Sequence, residues 1–317
     1  MFVAKTNHGE KIFAQNYQGG MGKQLYCPGC EGRVIFKKGS KTLPHFAHVS
    51  LGRCASFSEG ETQEHLAGKE LLYHWTKSAT LEAYLPKLQQ RPDLLWGKLA
   101  IEVQCSPLAF ERFFARTNNY LTHGYLPWWL LGEKLRPNKK WHTLQKACCY
   151  YQQEQGLKLW SFEIKQKELR LYHHIQWHFS RVYHYELLHF SYPSNSIKQI
   201  LSVKPIQREK MIWDSRQFKY TLKKKLLRLD QRTLQLQEKL YLRGGHLLYL
   251  PDECYKASRY FFFFEEELLY LRFCLTQVTT IQEWYQLIQP SHMIWPYPLV
   301  SQKEILEGVY QEFTKNR

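Results

Sequence analysis

The spacing of hydrophobic and polar positions changes several times along the chain, and each change marks a predicted element. Between residues 57 and 135 the apolar positions recur first at helical spacing, then in short strand-like runs. The predicted elements are a helix from Ser58 to about Ser78, a strand at 80–86, two strands within 91–107 separated by Gly97 and Lys98, a helix from Ser106 to about Thr122 and a strand at 125–132. This order predicts a mixed α/β (α+β) fold.

The two-residue turn within 91–107 fixes which residues of the predicted hairpin face each other. Glycine at its first position suits a type II′ turn, and this register pairs Asp93 with Glu102 across the strands. Gln104 projects on the same face and pairs with Arg91. Because opposed carboxylates repel unless a cation lies between them, the pattern predicts a divalent metal site. The alternative is an ordinary exposed hairpin without chemistry.

The second predicted helix carries a polar stripe next to this hairpin. Arg112, Arg116 and Tyr120 recur every four positions and form a largely cationic face. The opposite, apolar side is expected to face the sheet and consists of Phe110, Phe113, Thr117 and Leu121. The cationic face is a candidate contact for phosphate groups.

Composition narrows the choice of partner. The 317 residues contain 44 Lys and Arg against 28 Asp and Glu, a formal net charge of +16, which favours a polyanion such as nucleic acid. Hydrophobic residues make up 44% of the chain, enough for packed cores, but no apolar run approaches the length of a membrane span. The N-terminus lacks the apolar region of a signal peptide, so we expect a cytoplasmic protein whose cysteines are thiols.

A short N-terminal stretch concentrates residues that bind metals. Cys27 and Cys30 form a Cys-x2-Cys turn, and the predicted hairpin that follows brings back His45, His48 and then Cys54. Four of these five residues would give a closed, structural zinc site, either Cys2His2 or Cys3His. Strand alternation places the two histidines on opposite faces, which favours the set with His48 and Cys54. The alternative is buried thiols beside surface histidines.

The second half of the chain predicts a further hairpin and then helices. The segments LKLWSFEI and ELRLYHHI are expected to form a hairpin, and a Pro- and Ser-containing linker begins near Ser191. Residues 205–243 are helical in pattern and strongly basic, with Lys223, Lys224 and Lys225 in a row. They form either a solvated helix face or a surface that follows phosphates, with a lipid-surface helix as a third interpretation. Two aromatic-rich helices follow and are expected in a core.

The order of elements, with Asp93 before one strand and Glu102-Val103-Gln104 in the next, resembles the PD-(D/E)XK nuclease superfamily. Together with the CPGC and PHFAH segments it is similar to the competence protein CoiA family of transformable Gram-positive bacteria. The resemblance covers residues 1 to about 135. It implies that Asp93 and Glu102 hold Mg²⁺ or Mn²⁺ and that Gln104 stands where the superfamily has a lysine. It also implies that Glu64 is an accessory ligand.

The resemblance further implies a role after DNA uptake in natural transformation, on incoming single-stranded DNA and beside recombination proteins. Arg91, Arg112, Arg116, Tyr120 and the lysines at 223–225 are the expected DNA contacts. The alternatives are a catalytically inactive DNA-binding adaptor, which the neutral Gln104 supports, and an RNA-binding protein. We expect three domains: a zinc-binding hairpin module at 1–56, a nuclease-like domain at 57–178 and a basic, aromatic-rich helical domain at 179–317.

Overall fold

The structure is a computed structural model that describes residues 1–19, 24–39, 42–50, 62–138, 140–207 and 213–315. The chain forms two compact units. The first consists of Met1–Arg136, Trp160–Leu171 and His189–Val203, and the second of Pro137–Leu159, Tyr172–Leu188 and Lys204–Arg317. Among the described residues, no helix combines the length and the apolar character that crossing a bilayer requires.

The first unit begins with a five-stranded sheet in the order β2-β1-β3-β4-β5. Its strands are β1 (Val3–Thr6), β2 (Lys11–Phe13), β3 (Leu25–Tyr26), β4 (Arg33–Gly39) and β5 (Thr42–His48). The hairpin of β4 and β5 pairs Val34 with His48 and Lys37 with His45. The rings of Tyr17, Phe36 and Phe46 pack on one another at centroid distances of 5.1–5.9 Å and form a small aromatic core.

The predicted order of helix, three strands, helix and strand is confirmed. The elements are α1 (Gln63–Thr76), β6 (Thr80–Leu81), β7 (Leu94–Trp96), β8 (Leu99–Gln104), α2 (Phe110–Thr122) and β9 (Leu126–Leu131). Strands β6, β7 and β8 are antiparallel, whereas β8 and β9 run parallel. The predicted start of α1 at Ser58 lies outside the described residues.

The predicted hairpin turn and register are also confirmed. Gly97 has a positive φ of 59°, a conformation that glycine adopts without strain. The register pairs Leu94 with Ile101 and Trp96 with Leu99, which continues to Asp93 opposite Glu102. One turn therefore sets the face on which Glu102 projects.

The second helix begins later than predicted and ends at Thr122, as predicted. It begins at Phe110, with Ala109 as its N-cap, instead of at Ser106. Ser106 lies outside the helix, and its carbonyl oxygen accepts a hydrogen bond from the Gln104 side chain. Leu121, predicted to face the sheet, is 38% exposed, whereas Tyr120 is fully buried. The boundary between the polar and apolar faces is thus rotated by one residue.

The sheet that carries this core has eight strands, in the order β13-β12-β11-β9-β8-β7-β6 with β10 paired to β11. The added strands are β10 (Tyr150–Gln152), β11 (Gly156–Glu163), β12 (Glu168–His178) and β13 (Val182–Ser191). The predicted hairpin is present as β11 and β12, and β11 runs parallel to β9. Helix α1 lies on this sheet, and its Gly68 allows close approach: a Cβ there would be 2.8 Å from Ile164 Cδ1.

The remaining elements are mostly helical. They are α3 (Thr143–Ala147), α4 (Ile197–Ser202), α5 (Ser215–Leu227), α6 (Gln231–Tyr241), α7 (Phe261–Phe264), α8 (Leu268–Thr276), α9 (Ile281–Ile288) and α10 (Gln302–Lys315). All except α4 belong to the second unit. Trp177, Trp213, Phe218 and Phe261 form its aromatic centre, with Phe261 stacked 4.8 Å from Trp213. The aromatic helices thus lie in a core, as predicted.

Candidate active site and metal centre

The N-terminal unit brings three ligand-type side chains together at one end of the β4–β5 hairpin. Cys27 follows β3, Cys30 lies on the same tight turn, and His48 ends β5. Their ligand atoms all lie within 4.8 Å of one another, and Cys30 Sγ is 3.3 Å from His48 Nε2. This Cys2His set could hold a metal, and its soft sulfur donors suit zinc.

Backbone amides orient the two sulfur atoms. The N–H of Gly29 donates to Cys27 Sγ and the N–H of Gly32 to Cys30 Sγ, both at 3.4 Å. The turn itself closes through Cys27 N–H to Gly32 O at 2.9 Å. Such donors stabilise thiolates and fix their direction, as expected around a metal-binding knuckle.

His45 does not join this group. Its Nδ1 is 2.8 Å from the carbonyl oxygen of Leu43, and β5 continues through both histidines, so they project on opposite faces. Of the five predicted ligands, the structure thus places Cys27, Cys30 and His48 together. Cys54 lies outside the described residues.

Asp93 is held by three neighbours at the base of the β7–β8 hairpin. His65 Nε2 is 2.9 Å from its Oδ2, the N–H of Val103 donates to the same oxygen at 2.8 Å, and Lys69 Nζ lies 3.8 Å from its Oδ1. Burial opposes ionisation, but His65 and Lys69 outweigh it and lower the pKa of Asp93 to about 2. The carboxylate is therefore charged at neutral pH.

Glu102 lies next to Asp93, but its pKa is shifted in the opposite direction. Arg116 Nη2 donates to its Oε1 at 2.5 Å and Tyr120 OH donates to the same oxygen at 2.6 Å. Burial raises the pKa of Glu102 to about 7, and the negative charge of Asp93 adds to this against the cation of Arg116. The two acids, which were predicted to face each other, interact electrostatically, and their pKa values differ widely.

The donor chemistry of this pair fits Mg²⁺ or Mn²⁺, which bind through one or two carboxylates together with waters and substrate phosphates. Within the described part of the chain, the group of Cys27, Cys30 and His48 is the one in which three or more ligand-type residues converge. A metal at Asp93 and Glu102 would therefore take its remaining ligands from water and substrate.

Gln104 is the last residue of β8, and Glu64, on α1, contacts the segment that follows β9. Gln104 Nε2 donates to Ser106 O at 2.7 Å. Glu64 Oε1 accepts from the N–H of Glu133 at 3.1 Å, and Glu64 also bonds the thiol of Cys105. Glu64 thus supports the loop after β9 in the structure, and its role as a metal ligand remains a prediction.

The predicted DNA contacts lie in different environments. Arg91 is buried and pairs with Glu82 at 3.4 Å, and its contact with DNA stays a prediction. Arg112 and Arg116 are half-buried on α2. In the second unit, Lys223 and Lys224 are exposed on α5, whereas Lys225 pairs with Glu266.

Three residues near the site had no separate signal in the sequence. His65 and Lys69 lie one helical turn apart on α1, and Glu82 follows β6. Lys69 is fully buried, donates to Glu82 Oε1 at 2.6 Å and lies beside Asp93. The spacing of four between His65 and Lys69 places them on one helix face, but the acids they meet lie in other segments, since Glu82 follows β6 and Asp93 precedes β7.

Comparison with known proteins agrees with this architecture. The model of the competence protein CoiA N-terminal domain matches residues 14–57, and that of the CoiA nuclease-like domain matches residues 61–205. Competence protein CoiA of Bacillus subtilis (strain 168) is 37% identical over 118 residues. That match spans 35% of this chain and 32%, about a third, of the relative. No solved structure matches.

Both domain models describe the same family. Along the chain they match first the segment with the Cys27/Cys30/His48 group and then the nuclease-like core. The segment that they cover contains Cys27, Cys30 and His48 as well as Asp93 and Glu102. This chain belongs to the competence protein CoiA family.

Proposed function

We propose that this chain is a cytoplasmic DNA-processing protein of natural transformation, with a metal-dependent nuclease core that acts on incoming single-stranded DNA beside recombination proteins. The observation that carries the proposal is the pairing of Asp93 with Glu102 inside a cationic shell. A buried carboxylate pair in a strongly basic protein suits a substrate whose phosphates arrive with a divalent metal.

In this mechanism Asp93 and Glu102 would hold Mg²⁺ or Mn²⁺. When bound, the metal supplies Lewis-acid stabilisation of the phosphoryl group and a more acidic water. His65 and Lys69 hold Asp93 ionised and in place. Arg116 keeps Glu102 oriented and would offset the charge of a neighbouring phosphate.

The N-terminal module has a structural role in this proposal. Cys27, Cys30, His48 and, from outside the described residues, Cys54 would bind one Zn²⁺ in a closed Cys3His site. A closed site stabilises its module and leaves no position for substrate. The cations of β4, Arg33, Lys37 and Lys38, would then be presented to DNA from a rigid hairpin.

A second candidate function is an inactive adaptor that binds DNA and recruits recombination proteins. It is favoured by Gln104, whose neutral amide replaces the expected lysine and is bound to Ser106 O. An amide offers hydrogen bonds but no charge to the attacked phosphorus.

Calorimetric titration of Mg²⁺ and Mn²⁺ distinguishes the two candidates, with cleavage of labelled single-stranded and duplex DNA measured on the same samples. The variants are Asp93→Asn and Glu102→Gln, which preserve shape, and Glu111→Gln, an exposed acid of α2, as the matched control. The nuclease requires metal uptake and cleavage that both fail in the first two variants and persist in the control. Wild-type protein that binds DNA, takes up neither metal and cuts nothing is an adaptor.

A further inference from the structure

The first unit contains a cavity of about 470 Å³ that the nuclease site does not use. It lies where three segments meet: the end of α1, the tip of the β7–β8 hairpin and the segment that follows β13. Its walls include the aromatic side chains Trp75, Trp96 and Tyr192.

The aromatic walls are fixed in position by hydrogen bonds. Trp75 Nε1 donates to Asn195 O at 2.6 Å, and its ring meets Tyr192 edge to face at 5.5 Å. Trp96 is half-buried, and its Nε1 donates to Ser78 Oγ at 2.9 Å. Rigid aromatic rings with part of their surface exposed can stack a planar ligand at little entropic cost.

The charged residues that line the cavity are all basic among the described residues. Lys77 and Lys198 are exposed at its rim, beside the imidazole of His74, and the described residues that line the cavity include no Asp or Glu. No acidic side chain of the described chain is paired with either lysine. Lys77 ends α1 with a φ of 61°, a left-handed cap that turns the chain at the rim. The cavity therefore combines flat apolar walls with unneutralised cations.

The cavity is tied to the candidate active site through two elements. The β7–β8 hairpin carries Asp93 and Glu102 at its base and Trp96 at its tip, three residues or about 10 Å along the strand. Helix α1 carries His65 at one end and Lys77 at the other, about 18 Å apart by helical rise. These spans correspond to a few nucleotides of an extended single strand.

We propose that this cavity is a subsite for single-stranded DNA, in which one base stacks on Trp96 and Tyr192 while Lys77 and Lys198 contact the adjacent phosphates. This inference rests on the proposed function and adds to it the place where the strand is held away from the metal. Stacking and phosphate contacts without base-edge hydrogen bonds predict little sequence preference.

The test measures anisotropy of a labelled oligo(dT) with the full chain, without added divalent metal, at several salt concentrations. The variants are Lys77→Gln with Lys198→Gln, Trp96→Ala, and Trp96→Phe, which keeps an aromatic face. Lys11→Gln with Lys87→Gln removes the same charge from exposed positions elsewhere in the first unit. Competition with duplex DNA and with an RNA of matching sequence identifies the class of ligand.

We expect the Lys77/Lys198 variant to weaken binding on the order of tenfold and to reduce the salt slope by about 1.4. Trp96→Ala should weaken it by a similar factor, and Trp96→Phe by less than about threefold. Equal losses in the Lys11/Lys87 control, or stronger competition by RNA or duplex, overturn the subsite. Wild-type protein that cuts DNA while the cavity variants bind normally overturns the subsite alone, whereas wild-type protein that binds no DNA overturns the proposed function as well.

Discussion

At the scale of single residues, the site depends on two neighbouring acids with different surroundings. Asp93 faces His65 and Lys69 and has a pKa lowered to about 2, whereas Glu102 is buried and has a pKa raised to about 7. Environments that separate the pKa values of two carboxyl groups in this way are typical of functional sites. At neutral pH without metal, Asp93 is thus fully ionised, whereas Glu102 is close to its pKa and is only partly ionised.

The raised pKa of Glu102 predicts a specific pH dependence of stability without metal. Because the folded-state pKa exceeds the unfolded value of 4.5, the contribution is complete below pH 4.5 and is lost as pH rises through about 7. The loss is on the order of 3 kcal/mol for a fully buried group. Urea unfolding of wild type and Glu102→Gln, both without added Mg²⁺ or Mn²⁺, should show the wild type losing stability relative to the variant over this window. Parallel pH profiles would contradict the assignment.

The buried ion pair of Lys69 and Glu82 predicts that mutations at these two positions have coupled effects on stability. Two apolar core residues would not show this electrostatic coupling. Replacing it with Met leaves Glu82 short of its closest cation and should cost about 3 kcal/mol in the free energy of unfolding. Adding Glu82→Gln removes the stranded charge, so the double variant should lose less than the sum of the single changes. Urea unfolding of the four proteins measures the coupling, and strict additivity would show that the pair is not an interacting unit.

At the scale of elements, α1 organises the first unit. From one helix come Glu64 at the strand ends, His65 and Lys69 at the acids, and Lys77 at the cavity. The helix holds these positions because Gly68 lets it lie close to Val103 and Ile164 of the sheet. A change in the distance between α1 and the sheet would therefore move every one of these groups.

Gly68→Ala tests this close approach. A Cβ at this position would meet Ile164 Cδ1 at 2.8 Å and Val103 Cγ1 at 3.2 Å. Overpacking outweighs the better helix propensity of alanine, so we expect a net loss of about 1 kcal/mol in the free energy of unfolding. Adding Ile164→Val to the Gly68→Ala variant removes the nearest methyl group and should restore part of the lost stability. An unaltered or increased thermal midpoint for Gly68→Ala alone would refute the tight contact.

At the scale of the whole molecule, the N-terminal sheet and the nuclease-like core share a buried acid. Glu82 Oε2 accepts from the N–H groups of Phe2 and Val3 at 2.9 and 3.2 Å, while its Oε1 accepts from Lys69. Lys69 in turn lies 3.8 Å from Asp93. The first strand of the chain is therefore connected to the candidate active site by a continuous set of polar contacts.

The zinc prediction for the N-terminal sheet is testable in solution. His48→Asn and Cys54→Ser should each release zinc and lower the thermal midpoint, because a closed site contributes directly to folding. His45→Asn is the matched control and should retain the metal, since His45 bonds to Leu43 O instead. Metal content by elemental analysis and melting by circular dichroism give the result. Retention of zinc by the Cys54 variant would rule out the Cys3His set.

The sequence predicted the order and register of the core because both depend on local signals. The turn at Gly97 and the alternation beside it were enough to pair Asp93 with Glu102. The pairing of Arg91 with Glu82 was not predicted, because Glu82 follows β6 and the hairpin register does not include it. His65 and Lys69 were missed for the same reason: helical spacing shows which residues share a face, but not which acids that face meets.

The hairpin between β7 and β8 has a further consequence for how this chain can vary. Side chains alternate between the faces of a strand, so one residue added to or removed from the two-residue turn would shift every partner of β8 by one. Glu102 would then face away from Asp93, and Trp96 would no longer pair with Leu99 at the tip of the hairpin. During evolution, the two turn residues can be substituted by others that tolerate the same φ angles. Insertions or deletions in the turn would not be tolerated.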